Sequence, residues 1–230
     1  MNILSIETAT EHGSVALLHD GELLVRRIQG AANHSEAVLR DLRELLIEAG
    51  LAVTQLDAIA FGAGPGAFTG LRLACGVAQG LALGAGLGIA AIGSLQALAL
   101  QTDARRVFVA TDARMGEVYH AAFELDAEGV PMPVGHVGCS QPLELELPAG
   151  DWFAAGSAFK VWAQELEARL LGRLTGCRPD MVPRAEEVAR LGAVAVARGA
   201  LTPPELAAPL YVRDKVAFTT AERLARGGRA

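Results

Sequence analysis

The sequence predicts an α/β protein of two lobes, the second a degraded repeat of the first. Two observations predict it. Strand-like and helix-like periodicities follow the order βββαβαβα from Asn2 to about Thr102, and a new run of strand-like segments opens at Arg106. Length agrees: 230 residues are enough for two small lobes with ample apolar material for a core.

Each element has its own signal. Asn2–Glu7 (NILSIE) and Gly13–Leu18 (GSVALL) read as the first two strands. His19-Asp20-Gly21 follows, and Asp-Gly is a strong hairpin signal, so Glu22–Arg27 is the third strand. Ser35–Ala49 reads as a helix with Ser35 as N-cap, Glu36 in the first turn, and Gly50 after its end. Its apolar stripe is Val38, Leu42, Leu45 and Leu46. A short strand at Ala58–Phe61, a Gly-rich loop, a helix at about Phe68–Leu83, a strand at Gly88–Ile92 and a helix from near Ser94 complete the half. The second half offers strands at Arg106–Thr111 and Gly116–Leu125, a turn at Asp126–Gly129, and strands near Val134–Ser140 and Trp152–Ala155. Helices follow near Phe159–Leu170 and at Ala185–Arg198. Three antiparallel strands followed by βα units are the plan of the ribonuclease-H-like fold. Its duplication is the actin/Hsp70/sugar-kinase architecture, in which two lobes clamp a nucleotide between them. The expected division is residues 1–104 and 105–230, with a return of the last segment to the first lobe left open.

Composition excludes some functions. The net charge of −6 argues against broad nucleic-acid binding by this chain alone. Arg223, Arg226 and Arg229 form a local basic patch, read more simply as a solvated tail. Cys75, Cys139 and Cys177 include no CxxC pair, so neither a zinc ribbon nor a disulfide framework is expected, and reduced thiols in the cytoplasm are the simplest account. No basic n-region follows Met1, so no signal peptide is expected. Leu73–Thr102 carries no charge, which raises the question of a membrane span. Gly84, Gly86, Gly88 and Gly93, with Gln79, Gln96 and Gln101, break the stretch, and a buried helix, strand and second helix fit better.

The strongest local motif runs from Gly62 to Arg72 (GAGPGAFTGLR). Gly62, Gly64, Pro65, Gly66, Thr69, Gly70 and Arg72 lie between a strand and a helix, where backbone N–H groups can receive an anion. A tight turn needing glycine conformations accounts for the spacing equally well. No Lys follows the last Gly, so the loop is not a Walker A loop. None of the five histidines stands four residues from another, so no paired-histidine metal site on a helix is expected. Glu7 stands where a kinase of this fold places a magnesium-holding acid, and a hydrogen bond to the Thr8–Thr10 turn is the favoured alternative. No HExxH or GxSxG motif supports a peptidase. The helix from Phe68 carries Gly76, Gly80 and Gly84 on one face, beside Ala74, Ala78 and Ala82. Glycines in a helix cost up to about 1 kcal/mol each relative to alanine, so close approach of another backbone is expected there. Leu73, Val77 and Leu81 are then free to face the sheet.

These segments carry a resemblance. GxGPGxFTGxR followed by Ala78–Gly84 (AQGLALG) resembles the TsaB (YeaZ) family. Ile6-Glu7-Thr8-Ala9-Thr10, Asp112-Ala113-Arg114-Met115-Gly116-Glu117-Val118-Tyr119 and Pro209-Leu210-Tyr211-Val212-Arg213 match further family segments in the family order. The motif positions are thus Glu7, Thr8, Asp112, Arg114, Glu117, Tyr211 and Arg213 besides the glycine loop. Family members usually have Asp where this chain has Glu7, a departure that weakens the nucleotide-hydrolysis reading. The resemblance implies a cytoplasmic, non-catalytic paralogue of TsaD. That partner carries a metal-binding histidine pair and moves threonylcarbamoyl from its adenylate to the tRNA adenosine 3′ of the anticodon. It further implies a heterodimer with a TsaD-like subunit, joined by a TsaE-like ATPase, with tRNA met through the complex. This chain is then expected to hold no cofactor or metal and to bind ATP or ADP weakly at most, leaving both to its partners. The first two long helices are implied as the partner surface. Leu42, Leu46, Leu73, Gly76, Val77, Gly80 and Gly84 are its expected residues, and it self-associates when the partner is missing. The alternative function is a small-molecule kinase or ATPase of the actin-like superfamily, supported by the fold and by the glycines at Gly62–Gly70 and Ala155-Gly156-Ser157. A peptidase ranks last.

Overall fold

A computed structural model describes residues 1–30, 34–170 and 172–213. The arginines at 223, 226 and 229 lie outside the described residues. The first sheet contains β1 (Asn2–Glu7), β2 (His12–His19), β3 (Glu22–Gln29), β4 (Ala58–Gly64) and β5 (Ile89–Gly93) in the order β3-β2-β1-β4-β5. β1–β2 and β2–β3 are antiparallel, while β1–β4 and β4–β5 are parallel. The second sheet contains β6 (Arg106–Asp112), β7 (Val118–Leu125), β8 (Pro131–Ser140), β9 (Trp152–Ala155) and β10 (Leu174–Arg178) in the order β10-β9-β6-β7-β8. Its pairings repeat those of the first strand for strand. This is the two-lobed, duplicated ribonuclease-H-like fold.

The central strands β1 and β4 are buried on both faces, which is why AIAFGAG runs apolar instead of alternating, while the buried Ser5 and Glu7 of NILSIE are hydrogen-bonded. Helices α1 (His34–Ala49) and α2 (Phe68–Ala85) cover one face of the first sheet. α6 (Ala185–Ala197), although it follows the second-lobe strands, covers the other face. It lies so close that a Cβ on Gly192 would meet Ala60 Cβ at 2.9 Å, which accounts for a glycine in a helix interior. Two hydroxyls tie its start to the sheet: Ser14 Oγ accepts from Ala185 N–H at 2.9 Å, and Ser5 Oγ donates to Ala185 O at 2.8 Å. α3 (Ser94–Leu100) in turn packs on the second sheet, where Leu95, Leu98 and Ala99 meet Val107, Val109 and Phe123. The two lobes therefore exchange helices and share a common floor.

The hairpin at Asp20-Gly21 forms as its signal predicts, both residues having positive φ (48° and 91°). Several expectations need correction. α1 begins at His34, which puts Ser35 inside the first turn instead of at the cap. The helix expected at Phe159–Leu170 is two, α4 (Ala158–Val161) and α5 (Ala163–Leu170), because Trp162 leaves helical geometry with ψ 37°. The strand expected from Gly116 begins at Val118, since Arg114, Met115 and Gly116 form a left-handed turn. β10 is an additional strand, and where α1 stands in the first lobe the second has only a short turn at Pro142–Glu144. On α2, the stripe against the sheet is Leu71, Ala74, Cys75, Ala78 and Ala82, not Leu73, Val77 and Leu81, which are half-buried on its flank. Alanines let the helix lie close on β4, itself rich in Ala and Gly. α2 is also long and apolar enough to cross a membrane by length and composition, yet this stripe is occupied by the protein's own sheet.

Candidate functional site

A cleft of about 730 Å³ opens between the lobes. The β1–β2 turn (Ala9 to His12) and the start of α2 form its first wall, the β6–β7 turn with Ser157 and Lys160 its second, and Leu210 to Arg213 lie across it.

Glu7 ends β1 behind the first wall and is 1% exposed. Its Oε1 accepts from Ala9 N–H at 2.6 Å, and Ser94 Oγ donates to its Oε2 at 2.8 Å. The favoured turn-binding reading of Glu7 therefore describes its geometry, and the carboxyl points into the lobe instead of into the cleft. Burial raises its pKa from 4.5 to about 7, against the lowering effect of the Ala9, Ser94 and Thr8 hydrogen bonds. The folded protein thus holds this proton up to about pH 7, whereas the unfolded chain releases it near 4.5. The contribution is fully present below pH 4.5 and is lost as pH rises through about 7. Its size is on the order of 3 kcal/mol. Glu7→Gln keeps the acceptor for Ala9 and gains a donor for Ser94. Melting temperatures of variant and wild type should therefore diverge in the variant's favour as pH rises across this window. A constant difference from acid to alkaline pH would mean that Glu7 titrates in the fold as it does in the unfolded chain.

The glycine loop is pressed onto the same turn. A Cβ on Gly62 would stand 1.9 Å from Glu7 Oε2, one on Gly66 2.5 Å from Ala9 O, and one on Gly70 1.9 Å from Thr8 O. Ala67 N–H donates to Ala9 O at 2.7 Å, and Thr8 Oγ1 donates to Gly70 O at 2.8 Å. Gly64 (φ 108°) and Pro65 carry the chain from β4 towards α2, where Thr69 and Arg72 are exposed. Close approach to Glu7, Thr8 and Ala9 gives Gly62, Gly66 and Gly70 a reason independent of any phosphate.

Motifs far apart in sequence meet at the mouth of the cleft. Tyr211 stacks on Phe68 with ring centroids 5.0 Å apart, and the Arg72 guanidinium lies 3.6 Å from the Phe68 centroid. Arg72 Nε donates to Tyr211 Oη at 3.1 Å. Arg213 Nη2 donates to Ala113 O at 2.8 Å and Arg114 O at 3.2 Å, and pairs with Glu117 Oε2 at 2.7 Å. Asp112 braces the same turn: its Oδ1 accepts from Arg114 N–H at 3.1 Å and its N–H donates to Ser157 Oγ at 3.0 Å. Sequence reasoning passed over Phe68, although it stands inside the glycine motif, and Ser94, for which no local pattern signals a contact with Glu7.

The expected partner residues divide. Gly76, Gly80 and Gly84 are exposed, and an added Cβ at each meets nothing within 4 Å. Leu73 and Val77 are half-buried beside them. Leu42 and Leu46 are corrected: they are 2% and 8% exposed and pack into the core under α1. The apolar residues that α1 and α2 expose are instead Leu39, Ile47 and Leu83, at 55%, 66% and 61%.

A family model described as TsaD, tRNA N6-adenosine threonylcarbamoyltransferase, matches residues 29–220. The tRNA threonylcarbamoyladenosine biosynthesis protein TsaB of Escherichia coli K12 is 33% identical over 230 residues, covering 95% of this chain and 97% of that one. The chain belongs to the TsaB (YeaZ) family. TsaB of Haemophilus influenzae is 43% identical over 123 residues, about half of each chain (52%). The structure of YeaZ from Pseudomonas aeruginosa superposes with a TM-score of 0.82 at 36% identity, covering 91% of this chain and all (100%) of that one. A second structure, of an uncharacterized protein with similarity to peptidase YeaZ from Pseudomonas aeruginosa, gives 0.84 at 38% identity, covering 92% and 99%.

Among the described residues of this TsaB-family chain, Ser140 Oγ lies 3.2 Å from His120 Nε2 on adjacent strands. Among the described residues no carboxylate is hydrogen-bonded to His120, and the pair lies away from the cleft lining. It lacks the orienting acid that a serine hydrolase uses.

Proposed function

We propose that this TsaB-family chain is a non-catalytic scaffold and activator in tRNA threonylcarbamoyladenosine biosynthesis. Its partners are a TsaD-like catalytic paralogue, bound directly, and a TsaE-like ATPase. It meets tRNA through the complex, in keeping with a net charge of −6. The observation that carries the reading is the outer face of α1 and α2. Leu39 and Ile47 of α1 and Leu83 of α2 stand in solvent, and α2 carries three open glycines on the side away from its buried stripe. Such a surface offers apolar area and close backbone approach to a second helix pair. Without the paralogue, the same face joins two copies of this chain. The Glu7 carboxyl, engaged by Ala9 and Ser94, supports a chain that holds no metal and binds nucleotide weakly at most.

The test is tRNA threonylcarbamoylation reconstituted from a TsaD-like subunit, a TsaE-like subunit, threonylcarbamoyl-adenylate, ATP and unmodified tRNA, with and without this protein. Modification should require it, and the protein alone should leave the adenylate unchanged. Equal modification in its absence would remove the scaffold role and turn attention to a separate kinase or ATPase activity.

A further inference from the structure

The lobes are joined on two sides of the cleft, and the two joints differ in kind. On the floor, α3 and α6 sit in continuous buried cores. At the mouth, the segment from Pro204 to Arg213 touches both lobes. It runs over α2, where Gln79 Nε2 donates to Pro204 O at 3.0 Å and Ala207 O at 3.1 Å. Leu210 N–H then donates to Ala63 O at 2.7 Å, at the end of β4. Tyr211 anchors it to Phe68 and Arg72, and two residues later Arg213 grips the second-lobe turn through two carbonyls and Glu117.

We propose that Pro204–Arg213 is a latch holding the cleft closed, with Tyr211 its first-lobe anchor and Arg213 its catch. The catch is strong because a charged donor meets two backbone oxygens and a carboxylate, with the Arg213 side chain 14% exposed. It is releasable because the end of the strap beyond the buried Ala207 lies at the surface, with Leu210 and Tyr211 42% and 47% exposed. What it grips is also poised, since Arg114 and Met115 hold left-handed φ of 61° and 57°, a conformation that L-residues with side chains rarely adopt. The other contact across the mouth, Arg114 to Glu11 at 3.4 Å, joins side chains 73% and 59% exposed and contributes little. Release of Arg213 lets the lobes rotate about the α3–α6 floor, so latch and cleft occupancy are linked.

The test is the interlobe distance distribution in the full chain, read by pulsed electron paramagnetic resonance. Nitroxide-bearing non-natural residues would replace Glu22 and Glu144, exposed positions on the two lobes. Arg213→Ala should shift the distribution to longer distances and broaden it. Tyr211→Ala should do the same with the catch residue intact, and Arg213→Lys, which keeps the charge but not the fork, should fall between. Should Arg213→Ala fail to fold, the other two variants decide. Distributions that superimpose on wild type, with only lower melting temperatures, would make both residues mere packing groups and overturn the latch.

Discussion

Replacing Gly70 with alanine should destabilise the protein by more than about 4 kcal/mol, a large part of the roughly 5–15 kcal/mol that holds a domain folded. The Cβ would stand 1.9 Å from the backbone oxygen of Thr8 and 3.0 Å from its carbonyl carbon. Neither atom can yield as a side-chain tip would, because β1 is paired on both sides and Ala9 is bonded to Ala67 and Glu7. The better helix propensity of alanine returns at most about 1 kcal/mol. Gly76, on the same helix, supplies the contrast: a Cβ there meets nothing, so Gly76→Ala should raise stability by about 1 kcal/mol. Urea denaturation of both variants checks the pair. Similar losses at both positions would mean that helix propensity, not the Thr8 contact, dominates at Gly70.

The same residues explain what was legible in the sequence. β4 was legible because a strand covered on both faces runs apolar, and the β2–β3 hairpin because Asp20-Gly21 marks its turn chemically. β10 was not, because LTGCR is a short edge strand with exposed positions that need not be apolar. The stripe Val38, Leu42, Leu45 and Leu46 was read correctly as apolar, and all of it is buried against the sheet. A face spent on its own core is not available to a partner, which is why Leu42 and Leu46 fail as interface residues while Leu39 and Ile47 stand exposed. The cleft was readable only in pieces. Each motif was visible, yet that Tyr211 reaches Phe68 and Arg213 reaches the turn after Asp112 is a property of the folded chain, with no local period to reveal it.

Gly80→Leu should separate folding from assembly. Gly80 is exposed with no atom within 4 Å of an added Cβ, so the isolated protein should melt no lower than wild type, and helix propensity should raise its stability by close to 1 kcal/mol. Against a TsaD-like subunit the outcome reverses. A leucine side chain in the middle of the glycine row holds the partner helix off by more than a methyl group's width, and overpacking of that kind costs about 1–3 kcal/mol. Contacts made by Leu39, Ile47 and Leu83 at the margin of the face are then pulled out of register as well. The expected loss in affinity is on the order of a hundredfold, about 2.7 kcal/mol, read by titration calorimetry or co-elution. Threonylcarbamoylation should fall with it and recover at raised subunit concentration, as a binding defect must. Because the variant is expected to be at least as stable as wild type, a failure to bind cannot be laid to unfolding. Undiminished binding would place the partner surface elsewhere on the chain and leave the open glycines of α2 without a role.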